Sequence, residues 1–304
     1  MSIERASIKA VTKPWGSTDL RPWSNLGRNG SPIGELWFER SAASTPEPAL
    51  LLKLLFTTRP LSIQVHPDDE YARSVGLPHG KTEAWYVVAA AADARIALGL
   101  ERIVTGSELR AAIENSSIGE LVHWQHVELD EAILVPAGTI HAIGAGLVIA
   151  EIQQRSDATF RLFDYGSRRE LHIDDAIGAA FTGPALPQIA PTPLSAARRL
   201  LAVSPYFVLE GVDLPANSSW ELEVEGEAWV LGLDGAATFD HLPVSAGEAL
   251  FVEAQSANVR AGHRGLHGLI AYVATSPSAT LFRRLEGEAD HVATRSPATQ
   301  EVLT

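Results

Sequence analysis

The stretch Ser62-Ile63-Gln64-Val65-His66-Pro67-Asp68 has the alternation of a short β-strand that stops at a proline. A period of two places its serine, glutamine and histidine on one face and its isoleucine and valine on the other. Taken alone, that polar face is typical of the solvated side of an antiparallel strand. Further short runs rich in β-branched and aromatic residues, bounded by glycine and proline, occur at residues 83–88, 95–98, 132–136, 147–153 and 159–163. The sequence therefore predicts a mainly β fold of the sandwich or jelly-roll type.

Two short helices are expected on this β scaffold. One is predicted over residues 107–118, with Ser107 as its N-cap, and the other over residues 173–180. A proline-rich stretch, whose prolines cannot donate to a sheet, predicts a linker at residues 183–198. We therefore expect a first domain at residues 1–182, a second at residues 199–285, and a polar, mostly disordered tail at residues 286–304.

The two halves resemble each other. Thr82-Glu83-Ala84-Trp85-Tyr86-Val87 parallels Gly226-Glu227-Ala228-Trp229-Val230-Leu231, and residues 131–135 parallel residues 248–252 in the same order. Two matches in order suggest a tandem repeat. Under that register Asn258 falls opposite His141, so the chemistry is expected in the first half and no second metal site is expected.

The composition excludes several classes of protein. Of 304 residues 46% are hydrophobic, which is enough for a buried core. The 24 basic and 37 acidic residues give a net charge of −13, which disfavours nucleic-acid and membrane partners but still permits a small anionic substrate in a locally basic cleft. The absence of cysteine leaves histidine, carboxylates and glutamine as possible metal ligands. Because residues 1–16 hold no apolar stretch suited to secretion, a cytoplasmic protein is expected.

Polar side chains on three predicted strands could together bind a metal ion. Gln64 and His66 share one face of the first strand, Glu83 follows a glycine turn, and His141 ends an apolar run. Two imidazoles, a carboxylate and an amide oxygen would give four ligands and leave room for water or substrate. Spacing alone does not select this set. Each residue taken singly is better explained structurally, with His66 capping a turn and His141 bonded to a backbone carbonyl in the core.

Longer strings resemble a known family, the type I mannose-6-phosphate isomerases in their short bacterial form. The similarity covers at least residues 13–180 in order and weakens over residues 200–280. The strings that carry it are Lys13-Pro14-Trp15-Gly16, Ile33-Gly34-Glu35-Leu36-Trp37, residues 62–68, Gly80-Lys81-Thr82-Glu83-Ala84-Trp85-Tyr86, residues 135–144 and Glu151-Ile152-Gln153-Gln154-Arg155-Ser156-Asp157.

The resemblance implies a mainly β tandem cupin with a few short helices and one Zn²⁺ per chain. It implies an isomerase that interconverts mannose 6-phosphate and fructose 6-phosphate through an enediolate. The family's metal ligands fall on Gln64, His66, Glu83 and His141 of this sequence. Such a reaction needs a base near C2 and a group that stabilises the oxyanion.

The resemblance also implies catalytic roles for three further residues. Arg161 matches the catalytic arginine, and its permanent charge suits the enediolate. Glu151 and Lys81 match polar residues beside the metal, and either could be the base, with Glu151 preferred. Structural alternatives are an ion pair of Arg161 with Asp157 or Asp164, a strand-edge Glu151 and an exposed Lys81.

Substrate contacts follow from the same resemblance. Ser62 and Lys53 match positions associated with the phosphate. Trp15 is expected at the wall of the sugar pocket, with ordinary packing as the alternative. Lys53 interrupts an apolar run, and a charge there is rarely buried without a partner, although an edge-strand lysine is the alternative.

Two other functions compete with the isomerase. One is a non-catalytic sugar-binding or regulatory cupin with a structural metal, which the joint presence of Arg161, Lys81 and Glu151 disfavours. The other is a cupin oxygenase, which Gln64 in place of a histidine disfavours. The sequence leaves open the substrate preference among phosphosugars and free aldoses, the metal loaded in the cell, the pathway served and the oligomeric state.

Overall fold

The computed structural model describes residues 2–27, 30–40, 47–167 and 169–285. Within these residues the strands are β1 (Ser2–Arg5), β2 (Ser7–Ser17), β3 (Ile33–Glu39), β4 (Leu50–Thr57), β5 (Ile63–Val65), β6 (Glu83–Ala90), β7 (Arg95–Leu100), β8 (Val122–His126), β9 (Ala132–Val135), β10 (His141–Ile143), β11 (Leu147–Gln154), β12 (Phe160–Phe163), β13 (Thr192–Ser195), β14 (Arg198–Val203), β15 (Val208–Leu214), β16 (Ser219–Phe239), β17 (Leu242–Ser245), β18 (Ala249–Tyr272) and β19 (Phe282–Leu285). The helices are α1 (Asp69–Ser74), α2 (Gly106–Glu114), α3 (Ile118–Leu121) and α4 (Ile173–Ala179). The predicted mainly β fold with a few short helices is confirmed.

The strands form three antiparallel sheets. A six-stranded sheet has the order β2-β3-β4-β11-β6-β9, and a five-stranded sheet has the order β12-β5-β10-β7-β8. An eight-stranded sheet follows the order β13-β14-β15-β18-β16-β17, with β1 added to β18 and β19 added to β16. The first two sheets hold the first half of the chain. The third holds the second half together with β1, whose residues belong to the predicted first domain.

Apolar side chains fix the order of these layers. Trp85 and Ile149 of the six-stranded sheet pack with Ile96 and Ile143 of the five-stranded sheet in one buried cluster, which makes the first half a two-layer sandwich. The other face of the six-stranded sheet packs against the second half, where residues such as Trp229 complete the cluster. Alternation along β6 explains both contacts, because successive side chains point to opposite faces.

The long strands β16 and β18 build the second half. They pair with each other in several different registers, and register shifts separate one paired segment from the next. The same two strands therefore form more than one part of the sheet. Their buried faces meet in a separate apolar cluster that includes Phe239 and Ile270. The predicted repeat places Trp229 opposite Trp85, and both tryptophans lie on strands in antiparallel pairs.

The helix at residues 107–118 needs correction. The structure has α2 ending at Glu114 and a separate α3, because Ser116 adopts a left-handed backbone with φ of +65°. The N-cap is Thr105 rather than Ser107: Thr105 accepts from the Glu108 amide, and the Glu108 carboxylate accepts from the Thr105 amide. This reciprocal capping box places the N-cap two residues earlier than predicted. The helix at residues 173–180 is confirmed as α4.

The predicted linker, the predicted tail and the expected absence of a membrane partner can be compared with the described residues. The stretch predicted as a linker, residues 183–198, contains β13, which pairs with β14. The predicted tail, residues 286–304, lies outside the described residues. In the described part of the chain, no helix has both the length and the apolar character to cross a membrane.

Candidate metal centre

Three strands of the first half deliver the predicted metal ligands to one place. Gln64 lies on β5, and His66 follows that strand directly. His141 is the first residue of β10 and pairs across the ladder with Gln64. Glu83 begins β6, in the facing sheet. The candidate ligands therefore meet between the two layers of the sandwich, and three of the four come from the five-stranded sheet or its edge.

The side chains form a compact buried cluster. Nε2 of His66 is 3.4 Å from Oε2 of Glu83, and Nε2 of His141 is 3.5 Å from Oε1 of Glu83. One ligand atom from each of these three residues lies within 4.8 Å of the others. All three side chains are at most 2% exposed. Such spacing lets one ion contact both imidazoles and the carboxylate.

Both imidazoles are held with Nε2 facing the cluster. Nδ1 of His66 lies 2.7 Å from the carbonyl oxygen of Ala158, and Nδ1 of His141 lies 2.8 Å from the carbonyl oxygen of Thr139. A carbonyl accepts, so Nδ1 carries the proton in each ring and Nε2 keeps its lone pair for a metal. Burial lowers the pKa of both histidines, that of His141 to about 3, which favours the neutral form that binds metals.

Lys81 already places a cation among these donors. Its Nζ lies 2.6 Å from Oε2 of Glu83 and 3.0 Å from Nε2 of His66. Burial acts to lower the pKa of Lys81, but Glu83 and Glu151 outweigh it and raise that pKa. Burial acts to raise the pKa of Glu83, but Lys81 and the two histidines hold it well below its usual value. The donors therefore face a positive charge in this structure, and two imidazoles with a carboxylate are a donor set that fits a zinc ion.

Gln64 stands beside the cluster in a different orientation. Its Oε1 accepts a hydrogen bond from the Ser62 hydroxyl at 3.1 Å, and its Nε2 faces Nε2 of His141 at 3.3 Å. Since a metal binds the amide oxygen, ligation by Gln64 requires its amide to turn over. His66, Glu83 and His141 need no such change.

A cavity of about 630 Å³ opens above the cluster. Its lining includes Gln64, Lys81 and Glu83 together with every other residue that the sequence assigned to catalysis or substrate binding, namely Trp15, Lys53, Ser62, Glu151 and Arg161. His66 and His141 lie beneath this lining. The structure thus brings the predicted residues around one space large enough for a sugar phosphate.

Lys53 is the buried partner of Glu151. The two residues are directly paired across β4 and β11, and Nζ of Lys53 donates to Oε1 of Glu151 at 3.0 Å and to Oε1 of Gln153 at 2.5 Å. Lys53 also lies over the Trp37 ring, 4.9 Å from its centroid. Because β4 lies between β3 and β11, the edge-strand alternative for Lys53 is wrong, and the expectation of a buried partner is confirmed.

Arg161 has no carboxylate partner among the described residues. Its Nη1 donates to the Glu170 carbonyl oxygen at 2.9 Å, and its buried Nε has no hydrogen-bond partner in the described chain. Asp164 instead binds Arg169. The predicted alternative, an ion pair of Arg161 with Asp157 or Asp164, is therefore absent from the described part of the structure.

Sequence reasoning missed several residues of this cavity. Glu35 accepts from Nε1 of Trp37 at 2.6 Å and from Nζ of Lys13 at 3.0 Å, forming a polar wall on β2 and β3. Asp157 and His172 also line the cavity. The sequence could have predicted that Glu35 and Trp37 lie on the same side of the sheet, because alternate residues of a strand share a face. No comparable signal indicates His172, which reaches the cavity from the segment after β12.

No family model matches this chain. A mannose-6-phosphate isomerase of Bacillus subtilis (strain 168) is 42% identical over 135 residues, which is 42% of this chain and 42% of that protein. A mannose-6-phosphate isomerase of Streptococcus mutans is 38% identical over 165 residues, 51% of this chain and 52% of that protein. The chain matches about half the length of these curated relatives or less. This similarity agrees with the resemblance found in the sequence motifs.

Solved structures extend the comparison to the fold of the whole chain. A crystal structure of a mannose 6-phosphate isomerase from Bacillus subtilis matches with a TM-score of 0.77 at 24% identity, over 90% of this chain and all of that one. A zinc-bound mannose 6-phosphate isomerase matches with a TM-score of 0.70 at 16% identity, again over 90% of this chain and all of that one. At these identities the likeness concerns the fold, and it agrees with the predicted mainly β architecture.

Proposed function

We propose that this chain is a zinc-dependent aldose–ketose isomerase that interconverts mannose 6-phosphate and fructose 6-phosphate. The observation that carries the proposal is the buried His66, Glu83 and His141 cluster beneath a polar cavity. Relatives with the corresponding name are 38–42% identical over 135–165 residues, which supports the same substrate class.

His66, Glu83 and His141 would hold one zinc ion, and Gln64 would complete the set after its amide turns over. A zinc ion bound there would supply Lewis-acid polarisation of the substrate's carbonyl and hydroxyl oxygens, directly or through a bound water. Trp85 orients the carboxylate, since its Nε1 donates to Oε1 of Glu83 at 3.0 Å. The three donors are nitrogen and oxygen atoms held in place by neighbouring groups, and none is a thiolate. Such a set suits a catalytic site that keeps one metal position open.

Glu151 is the proposed base for proton transfer between C1 and C2. Its Oε1 accepts from Lys53, and its Oε2 makes no hydrogen bond within the described residues. The side chain lines the cavity while remaining 5% exposed, so an enclosed substrate could present a C–H bond to this free oxygen. Lys81, whose Nζ lies 2.6 Å from Oε2 of Glu83, would position and neutralise the oxygens near the metal, and Glu151 is preferred to it as the base.

Arg161 is proposed to stabilise negative charge on the substrate. Its unpaired guanidinium lies at the cavity, and a cation without a carboxylate partner keeps its charge available for an enediolate. Ser62 and Lys53 remain the proposed phosphate contacts, with Trp15 at the cavity wall. Lys53 also donates hydrogen bonds to Glu151 and Gln153, so it would bind the phosphate as a member of that hydrogen-bond network.

The test is conversion of mannose 6-phosphate to fructose 6-phosphate by purified protein, measured before chelation, after chelation and after zinc is restored. Free mannose serves as the comparison substrate. Zinc-restored activity confined to the phosphosugar supports the proposal. Activity on free mannose as well would keep the isomerase and remove the phosphate assignment. Zinc and sugar binding without turnover would favour the non-catalytic sugar-binding cupin instead.

A further inference from the structure

A second cavity, of about 620 Å³, lies on the first half away from the metal cluster. Its walls include Asp93, Arg95, Trp124, Tyr165 and the turn at residues 144–146, and none of these residues lines the metal cavity. The cavity therefore needs its own explanation.

Arg95 presents an unpaired guanidinium there. Its side chain is exposed and lies over the indole of Trp124, 4.9 Å from the ring centroid. Within the described chain it forms no ion pair and no side-chain hydrogen bond. A guanidinium held over an aromatic ring without other partners keeps its N–H groups available, and their planar fork matches a phosphate or carboxylate.

Tyr165 presents an aromatic ring and a free hydroxyl beside Arg95. Its backbone is left-handed, with φ of +48°, which is uncommon for a residue with a side chain. The ring packs edge-on against Phe163 with centroids 5.0 Å apart, yet the residue is 46% exposed. Its hydroxyl makes no hydrogen bond with the described residues. A fixed, accessible aromatic ring of this kind can stack on the C–H face of a sugar.

Asp93 places a negative charge in the same cavity and so restricts which ligands can bind there. It is exposed, lines the same cavity and has no ion pair with any described residue. A bare inorganic anion would be repelled by this carboxylate, and an uncharged sugar would leave Arg95 unused. A ligand that carries an anionic group at one end and hydroxyl groups at the other satisfies both side chains.

We propose that this cavity is a second binding site, for a phosphorylated sugar. Arg95 binds the phosphate group, the Tyr165 ring stacks on the sugar, and Asp93 accepts hydrogen bonds from its hydroxyl groups. This assignment is argued from the second cavity alone and does not rest on the proposed isomerase activity.

The second cavity shares supporting elements with the metal cavity. Thr58, in its wall, donates from its hydroxyl to the carbonyl oxygens of Trp15 and Gly16 at 3.1 and 2.9 Å. Tyr165 lies two residues beyond β12, the strand that carries Arg161. A ligand in the second cavity would therefore contact segments that also form the metal cavity.

The test is site-resolved binding followed by fluorine NMR of protein labelled with 5-fluorotryptophan. The chain has seven tryptophans, and a Trp124→Phe variant assigns the resonance of the second cavity. Trp15 and Trp37 report on the metal cavity in the same spectra. Mannose 6-phosphate, free mannose and inorganic phosphate are titrated separately. We expect a saturable shift of the Trp124 resonance with mannose 6-phosphate, and an apparent affinity at least about tenfold weaker for mannose or phosphate alone.

Two variants and a control complete the test. Arg95→Leu and Tyr165→Ala should each abolish or weaken the Trp124 response by about tenfold, while the Trp15 and Trp37 responses persist. Arg260→Leu, which removes an exposed arginine on β18, should leave all responses unchanged. The proposal is overturned if Trp124 does not respond, if phosphate alone binds as tightly, or if the response survives in both variants. A Trp124 response without any at Trp15 or Trp37 would support the second site and count against the proposed isomerase.

Discussion

His141 and Glu83 face each other from opposite sheets, with Nε2 of His141 3.5 Å from Oε1 of Glu83. The contact joins β10 of the five-stranded sheet to β6 of the six-stranded sheet, so the candidate metal site bridges the two layers of the first half. A bound ion would add a further link between these layers, which also meet through an apolar cluster and through Lys81.

Metal removal should therefore destabilise the protein. Zinc that binds the folded chain and not the unfolded one raises the free energy of unfolding by about 2.7 kcal/mol when free zinc is a hundred times its dissociation constant. We expect chelated protein to unfold at a lower temperature than zinc-loaded protein, measured by circular dichroism, with full recovery when zinc returns. Equal unfolding temperatures in the two forms, with zinc content verified, would argue against an ion that bridges the sheets.

His141→Ala should abolish zinc retention. The substitution removes one of the two buried imidazoles and leaves only His66 and Glu83 close together in the cluster. We expect less than about a tenth of the wild-type zinc content after dialysis, since loss of one ligand from a small set sharply weakens binding. The measurement is metal analysis of dialysed protein, with folding checked by circular dichroism. His126→Ala, at an exposed position on β8, is the matched control. Unchanged zinc stoichiometry in His141→Ala would remove this residue from the ligand set.

The metal-free protein should lose stability as the pH falls below about 6.5. Burial lowers the pKa of His66 and takes that of His141 to about 3, so the unfolded chain binds protons that the folded chain does not. Each such histidine contributes up to about 1.4 kcal/mol of lost stability per pH unit below 6.5. Urea unfolding of chelated protein at several values of pH measures this slope. His141→Ala should have a shallower slope than the wild type, and equal slopes would contradict the buried neutral state of His141.

The sequence indicated the strands and the site better than it indicated the contacts within the site. Periodicity placed Gln64 and His66 on one face, and that face lies at the metal cavity in the first half rather than on the solvated side that the polar pattern alone suggested. The Lys53–Glu151 pair depends on the register of β4 against β11, which alternation along a single strand does not determine. The same limit applies to Lys81, whose contacts with Glu83 and His66 join two sheets. Helix α2 was misplaced because the Thr105 and Glu108 capping box went unrecognised.

The buried ion pair of the second half should matter for stability far more than exposed pairs. Arg198 donates to both carboxylate oxygens of Glu210 at 2.7 and 2.9 Å, and Tyr272 donates to the same carboxylate at 2.6 Å. Glu210→Gln leaves the Arg198 charge buried without its counter-charge, which costs about 3–5 kcal/mol. Glu221→Gln breaks the exposed pair with Arg283 and should cost less than about 1 kcal/mol. Urea unfolding of both variants measures the difference, and similar costs would show that the buried network contributes little.

Arg161 is the clearest test of catalysis that leaves the metal in place. Its guanidinium lies at the cavity without a carboxylate partner in the described chain, and no hydrogen bond or ion pair joins it to His66, Glu83 or His141. Arg161→Ala should therefore retain zinc and the wild-type unfolding temperature while lowering turnover of mannose 6-phosphate at least about a hundredfold, the scale of losing one charge-stabilising group. Arg161→Lys keeps a positive charge without the planar fork, so it should recover part of the loss. Arg260→Leu, which removes an exposed arginine from the second half, should leave turnover unchanged.

If the loss falls on KM alone and kcat is preserved, Arg161 binds the substrate in its ground state, and its proposed role toward the enediolate is wrong. Near-normal kcat and KM in Arg161→Ala would remove this residue from both roles.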